Sequence, residues 1–326
     1  MTEAHGHRSP GAVATAALLC VVTAAGLYGC ADPGPSQPAP TPAPATTEGI
    51  SPLTGRPARS GPVLAVKIDN VPPARPHTGL AAADLVYVEQ VESGQTRLMA
   101  VYSSRLPDRI GPVRSARESD LELLRQFGRP VLAYSGAQSA LTPLIKAAPL
   151  HPVTEADTPG AFLRDRGRSA PYNLYLRPER ALTTAPDATH AKDVGFRFGP
   201  APESGTPVNS RTVRFPAARY TFTWAPAERA WHVTMDGRSD GPLKPATVVV
   251  QHVTVRPSRF HDFTGAVSPY TVTTGSGTAE VLRDGRVHEA RWSRPSADAG
   301  TTFTTPSGAP LTFAPGQVWV LLTGGR

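Results

Sequence analysis

The second half of the chain, from Arg211 to the end, is a series of short apolar segments separated by turn signals. Residues 219–224, 230–235 and 246–254 are examples of the segments, and Asp236-Gly237 and Asp284-Gly285 are two of the turns. Asp-Gly dipeptides between short alternating segments favour β-hairpins, because both residues tolerate the positive φ angles of a tight turn. The pattern predicts a mostly antiparallel, all-β carboxy-terminal domain over residues 206–326, either a barrel or a sandwich.

Residues 51–205 mix strand and helix patterns. Four segments are apolar or alternate in the manner of strands: residues 63–68, 83–89, 95–102 and 131–135. The turn Glu92-Ser-Gly94 between the second and third segments predicts that these two form a hairpin. Two others, residues 115–127 and 139–147, carry apolar residues at helical spacing. We therefore predict an α/β amino-terminal domain, which makes the whole chain a mixed α+β protein. A chain of 326 residues is long enough for two domains that each bury a core.

The first 29 residues have the pattern of a secretory signal peptide. A polar segment that contains Arg8 precedes a run of small apolar residues, which ends in Leu27-Tyr28-Gly29-Cys30. This ending resembles the bacterial lipobox, although Tyr28 stands where a small residue is usual, so Cys30 is the predicted site of a palmitate-bearing lipid anchor. The alternative is an uncleaved transmembrane helix, because about 18 apolar residues just reach the spanning length. Both interpretations place the rest of the chain on the extracytoplasmic face of the cell membrane.

The segment that follows, residues 30–50, is rich in Pro, Ala, Thr and Ser and has no apolar periodicity. Such a composition cannot bury a core and favours semi-extended chain. We predict a disordered tether that holds the folded domains away from the membrane.

Several kinds of chemistry are disfavoured by composition. Cys20 and Cys30 are the only cysteines, so the predicted domains contain no disulfide, no thiolate metal ligand and no thiol nucleophile. The histidines after residue 51 show no paired metal-ligand spacing, and we expect no metal and no cofactor. The net charge is +7, but neither domain has a concentrated basic arm, and with export this argues against nucleic-acid binding.

Carboxylates and arginines recur at the strand ends and turns of residues 63–117, where their side chains can converge on one rim of a sheet. Only four of the 33 basic residues are lysines, and guanidinium groups are well suited to hold carboxylate or phosphate. Nearby carboxylates can orient the arginines or accept a proton. The candidate ligand-binding residues are Asp69, Asn70, Arg75, Asp84, Glu89, Glu92, Thr96, Arg97, Arg114, Ser115, Arg117 and Asn173.

The same residues allow a structural interpretation. Arginines and carboxylates in turns often form buried ion pairs that only lock the turns together, and truncating one partner of such a pair is costly. An abundance of arginine over lysine also arises from base composition in a GC-rich genome. The sequence alone leaves the ligand site and the structural network both open.

A family resemblance follows from these motifs. Residues 63–70, 74–80, 87–97 and above all Gly111-Pro-Val-Arg-Ser-Ala-Arg117 resemble the amino-terminal domain of the YerB-like bacterial lipoproteins, the DUF3048 family. Residues 274–277, 290–292 and 315–319 resemble its carboxy-terminal domain. The resemblance implies a two-domain, lipid-anchored envelope protein whose activity is not established. The family often has His at the position of Tyr172, ahead of Asn173, and a general acid–base or metal role there would require imidazole.

We expect an exported lipoprotein that acts as a ligand-binding or accessory module, with the membrane and an anionic envelope polymer or an envelope protein as partners. The alternative is an enzyme that acts on phosphate- or carboxylate-bearing envelope polymers or precursors. A third interpretation is a purely structural interaction protein.

Overall fold

Strands dominate the fold of residues 49–262 and 264–325, which are the residues described by the computed structural model. The strands of the first half are β1 (Gly49–Ile50), β2 (Pro57–Ala58), β3 (Leu64–Asp69), β4 (Leu85–Gln90), β5 (Thr96–Tyr102), β6 (Val131–Ala133), β7 (His151–Val153), β8 (Phe162–Arg164) and β9 (Leu174–Leu176). Those of the second half are β10 (Thr206–Pro207), β11 (Ser210–Phe215), β12 (Ala218–Ala225), β13 (Ala230–Met235), β14 (Arg238–Ser239), β15 (Thr247–Val253), β16 (Val255–His261), β17 (Val267–Thr271), β18 (Gly275–Arg283), β19 (Arg286–Arg294), β20 (Thr302–Thr304) and β21 (Val318–Gly324).

Helices are short, and those of the described residues all lie in the first half. The α-helices are α1 (Glu118–Leu124), α2 (Thr142–Ala147) and α3 (Pro178–Leu182). Single 3-10 turns occupy Pro72–Ala74, Leu80–Ala82, Glu92–Gly94, Arg125–Phe127 and Pro159–Ala161.

An eleven-stranded mixed sheet runs through both halves of the chain. Its order is β10-β19-β18-β15-β21-β4-β5-β3-β6-β7, with β20 paired to β19. Strands β15, β21 and β4 are parallel neighbours, as are β3, β6 and β7. Strand β5 lies antiparallel between β4 and β3, so all six parallel strands point the same way. Their carboxyl ends therefore meet at one edge of the sheet.

The central strands are buried on both faces, which explains why β3, β4 and β21 are nearly continuous apolar runs. One face packs against a four-stranded sheet formed by β11 to β14, where Trp319 contacts Tyr220 and Phe222 edge to face. The other face packs against α1, α2 and aromatic residues such as Phe313.

The predicted mixture of strands and helices is confirmed, but strands are far more abundant than an α/β domain requires. The predicted barrel is wrong for the described residues, because the central sheet is open and β15, β18, β19 and β21 extend it. Local patterns identified these strands but not their partners, since pairing depends on residues far apart in sequence. The hairpin β4–β5 forms as predicted.

The predicted signal peptide, Cys30 and residues 31–48 of the tether lie outside the described residues. The last two residues assigned to the tether, Gly49 and Ile50, form β1 and pair with β2. Within the described part of the chain, no helix is both long and apolar enough to cross a bilayer.

Candidate anion-binding site

Three of the candidate residues stand in a row across the central sheet. Asp69 on β3 is paired with Arg97 on β5, and Arg97 is paired in turn with Glu89 on β4. Directly paired residues project from the same face of a sheet, so the three side chains are neighbours. They lie at the edge where the parallel strands end, which is where open α/β sheets commonly bind ligands.

A cleft of about 690 Å³ opens at this edge. Arg97, Arg114 and Arg117 line one side of it, Gln138 and Ser139 line another, and the turn of the β16–β17 hairpin completes the wall. Volumes of this size are typical of small-molecule sites. The structure thus brings Arg97, Arg114, Ser115 and Arg117 to one cavity.

Two of the three arginines are paired with carboxylates. Arg117 donates from Nε and Nη2 to the two oxygens of Glu92, each at 2.6 Å, and Glu92 also accepts a hydrogen bond from Ser268. Burial raises the pKa of Glu92, but the bonds from Arg117 outweigh it and hold the pKa below its ordinary value. Arg114 Nε lies 3.0 Å from Asp69 Oδ2 without the alignment of a hydrogen bond. Neither terminal nitrogen of Arg114 has a partner among the described residues.

Arg97 is different, because no carboxylate of the described residues forms a salt bridge with it. Its side chain is 9% exposed, its Nη1 donates to the Ser115 carbonyl at 2.9 Å, and its Nε has no hydrogen-bond partner. Burial and the positive charge of Arg117 lower the pKa of Arg97 to about 10, although the negative charges of Asp69 and Glu92 oppose the shift. At neutral pH this guanidinium is therefore a charged group beside the cleft, attracted by Asp69 and Glu92 but in a salt bridge with neither.

Glu89 belongs to a buried cluster beneath the cleft. Lys67 Nζ lies 2.6 Å from Asp120 Oδ1 and 3.3 Å from Glu89 Oε1, and all three side chains are almost completely buried. Asp120 also accepts the Arg117 backbone N–H at 2.7 Å, which sets the start of α1. Burial raises the pKa of Glu89 to about 7.

Asn70, Arg75 and Thr96 join the edge to the four-stranded sheet and do not line the cleft. Asn70 Nδ2 donates to Thr96 Oγ1 at 2.9 Å and to the Tyr220 hydroxyl at 2.5 Å. Arg75 donates to Asp236 Oδ2 at 2.9 Å. These contacts match the structural interpretation of the sequence, in which polar side chains only hold the turns together.

The structure does not bring Asp84 or Asn173 to the cleft. Asp84 precedes β4 at the opposite edge of the sheet, about 20 Å away at strand spacing, where its carboxylate accepts the N–H groups of Ser103 and Ser104. Asn173 lies between β8 and β9 and accepts a hydrogen bond from Arg164 at 3.1 Å. Their polar character marked turns correctly but could not show at which edge each turn lies.

Sequence reasoning did not include the residues of the other two walls. Gln138 and Ser139 follow β6, which is the parallel neighbour of β3, and the parallel pairing places both loops at the same edge. His261, Asp262 and Ser268 come from the β16–β17 hairpin, which follows β15. Their position depends on β15 and β21 joining the sheet of the first half, and no local pattern indicates that. In the described part of the chain, no group of three or more His, Cys, Asp or Glu side chains is arranged to hold a metal ion.

Comparison with known proteins gives consistent matches along the chain. The profile described as "Protein of unknown function (DUF3048) N-terminal domain" matches residues 50–192, and that of the DUF3048 C-terminal domain matches residues 211–320. A protein of Bacillus subtilis (strain 168) named "Putative lipoprotein YerB" is 46% identical over 65 residues, which are 20% of this chain and 19% of that protein.

The crystal structure of YerB protein from Bacillus subtilis has the same fold, with a TM-score of 0.71 at 20% sequence identity. The superposition covers 84% of this chain and 96% of that one. Because both halves match the profiles of one family and the fold agrees, the chain belongs to the DUF3048 family.

Proposed function

We propose that this protein is an extracytoplasmic lipoprotein, anchored to the cell membrane through Cys30, that binds an anionic group of an envelope component in the arginine-lined cleft. The observation that carries the binding proposal is Arg97, a buried guanidinium at the cleft without a carboxylate partner among the described residues. A buried charge without a partner is destabilising, and a bound anion removes that cost. Arg114 adds terminal donors to the same cavity.

The carboxylates in the cleft and beside its arginines are all engaged, which favours binding over catalysis. Glu92 is held by both donors of Arg117, and Asp69 lies against Arg114 and accepts the Asn70 backbone N–H at 2.9 Å. Of the two carboxylates that line the cleft, Glu118 accepts a hydrogen bond from the Ser258 hydroxyl at 2.5 Å, and Asp262 accepts hydrogen bonds from the N–H and the hydroxyl of Thr264 at 2.8 and 2.6 Å. A general base needs a free carboxylate within reach of the substrate proton. The enzyme alternative therefore has less support than an accessory binding module.

Anion binding is tested by calorimetric titration of the full-length protein in detergent with inorganic phosphate. Charge-assisted hydrogen bonds are worth about 1.5–3 kcal/mol, so we expect Arg97→Met to weaken binding about tenfold to a hundredfold. Arg114→Gln should weaken it less, since its Nε is already paired with Asp69. Arg166→Gln is the matched control, because Arg166 is exposed and forms no side-chain bond within the described residues.

The thermal stability of the same variants separates the site from a structural network. Removing a buried charge that has no salt-bridge partner among the described residues should leave the ligand-free stability of Arg97→Met unchanged or raised. A large loss of stability together with unaltered phosphate binding would show that the arginines only hold the turns together.

The lipid anchor is supported by the lipobox-like ending at Cys30 and by the name of the Bacillus relative. We expect Cys30→Ala to abolish incorporation of labelled palmitate and to shift the protein out of the membrane fraction. Cys20→Ala is the matched control, since Cys20 lies within the same apolar run. This substitution should change neither palmitate incorporation nor the amount of protein in the membrane fraction. Membrane retention of an unlabelled Cys30→Ala protein would instead favour the uncleaved transmembrane helix.

A further inference from the structure

The cleft is larger than one small anion requires. Its volume is about 690 Å³, whereas one water molecule takes up about 30 Å³ of liquid and sites for organic ligands span about 300–1,000 Å³. An anionic group held by Arg97 and Arg114 fills only the arginine side of this space. The rest of the ligand can therefore reach the remaining lining, which includes the wall that contains Gln138 and Ser139.

That wall offers neutral hydrogen-bonding groups. The side chains of Gln138 and Ser139 have no hydrogen-bond partner among the described residues, and Gln138 Oε1 is buried. The hydroxyl of Ser115, which also lines the cleft, makes only a long contact of 3.4 Å to the Ser135 hydroxyl among the described residues. Amide and hydroxyl groups both donate and accept, so they suit ligand hydroxyl groups.

Two carboxylates limit the charge of the ligand. Glu118 and Asp262 also line the cleft. Hydrogen bonds from Thr264 hold the pKa of Asp262 below its ordinary value, so its carboxylate is ionised at neutral pH. A second negative group on the ligand would face these charges and be repelled.

The arrangement of donors favours phosphate over carboxylate. Arg97 and Arg114 approach from two separate chain segments, β5 and the loop before α1. One guanidinium fork already occupies both oxygens of a carboxylate, whereas a phosphate ester keeps further oxygens for a second fork. We infer that the cleft binds a phosphate ester of a polyhydroxylated compound, with one phosphate on the arginines and hydroxyl groups on Gln138 and Ser139. This inference rests on the proposed anion-binding function.

The test is calorimetric titration of the full-length protein with glucose 1-phosphate, inorganic phosphate, glucose, glucuronate and fructose 1,6-bisphosphate. We expect glucose 1-phosphate to bind about tenfold more tightly than inorganic phosphate, which corresponds to about 1.4 kcal/mol. Glucose and glucuronate should bind more weakly than glucose 1-phosphate, and the bisphosphate should gain nothing from its second charge. Poly(glycerol phosphate), compared with glycerol 3-phosphate, distinguishes a polymer from a free phosphate ester as the source.

In the double variant Gln138→Leu/Ser139→Ala, glucose 1-phosphate should bind no more tightly than inorganic phosphate. The affinity for inorganic phosphate should be unchanged, and this unchanged binding also shows that the variant is folded. If phosphate binding depends on Arg97 but the sugar ester binds no better, this inference is overturned and the proposed function stands. Tighter binding of glucuronate would overturn the choice of phosphate. If none of these compounds binds in a manner that depends on Arg97, the proposed function itself fails.

Discussion

Two carboxylates share one ammonium group in the buried cluster of Lys67, Glu89 and Asp120. Asp120 takes the shorter contact, 2.6 Å against 3.3 Å, and also accepts the Arg117 N–H, so it holds the negative charge more firmly. Burial raises the pKa of Glu89, and the attraction of Lys67 offsets this only in part. The pKa that results is about 7. Folding therefore favours the protonated form of Glu89 in weakly acidic solution.

The raised pKa of Glu89 predicts a loss of stability with rising pH. Between an unfolded value of 4.5 and a folded value of about 7, the native state binds more protons than the unfolded state. The contribution of Glu89 to the free energy of unfolding should therefore be highest below pH 4.5 and should be lost as the pH rises through about 7. Glu89→Gln removes this contribution, so its stability relative to wild type should increase between pH 5 and pH 8, by about 2 kcal/mol.

Urea unfolding of wild type and Glu89→Gln at both pH values measures this difference. Glu203→Gln serves as the control, because Glu203 is exposed and makes no side-chain contact within the described residues. Parallel pH profiles for wild type and Glu89→Gln would contradict the prediction.

At the scale of elements, α1 and the β16–β17 hairpin fix the shape of the cleft. Glu122 on α1 accepts the Thr273 N–H at 2.7 Å and the Tyr270 hydroxyl at 2.9 Å, and Ser119 accepts the Thr271 N–H at 3.0 Å. Burial raises the pKa of Glu122, but the hydrogen bonds from Thr273 and Tyr270 outweigh this effect and hold the pKa below its ordinary value. The wall contributed by the second half is thus bound to the helix that follows the arginines.

Sequence patterns located most elements and part of the site, and their limits have physical causes. The alternation of residues 95–102 and the turn at Glu92–Gly94 were enough to predict the β4–β5 hairpin, but not that Glu89 would lie directly opposite Arg97. The helix predicted within residues 115–127 begins only at Glu118, where Asp120 accepts the Arg117 N–H. The contribution of Gln138 and Asp262 could not be predicted, since it depends on strands paired across long separations in sequence.

At the scale of the whole molecule, the two halves share one sheet. Strand β21, from the end of the chain, lies between β15 of the second half and β4 of the first, and Val318 pairs with Leu85. Arg283 donates to the carbonyl groups of Gly199 and Thr312, which ties the connecting segment to the second half. Separating the halves would expose the backbone edges of β4 and β21, which pair with each other.

We therefore predict that the folded part unfolds in one cooperative transition, although the family profiles divide it in two. The chain supplies separate reporters, because the four tryptophans all lie after residue 206 and the described α-helices all lie before residue 183. Tryptophan fluorescence and helical circular dichroism should give coincident denaturation curves. Fragments 51–205 and 206–326 expressed alone should lack cooperative unfolding. Each fragment lacks the strand of the other half, β21 or β4, that pairs with its own edge of the shared sheet. Two separate transitions, or a fragment as stable as the intact chain, would show that the shared sheet contributes little to stability.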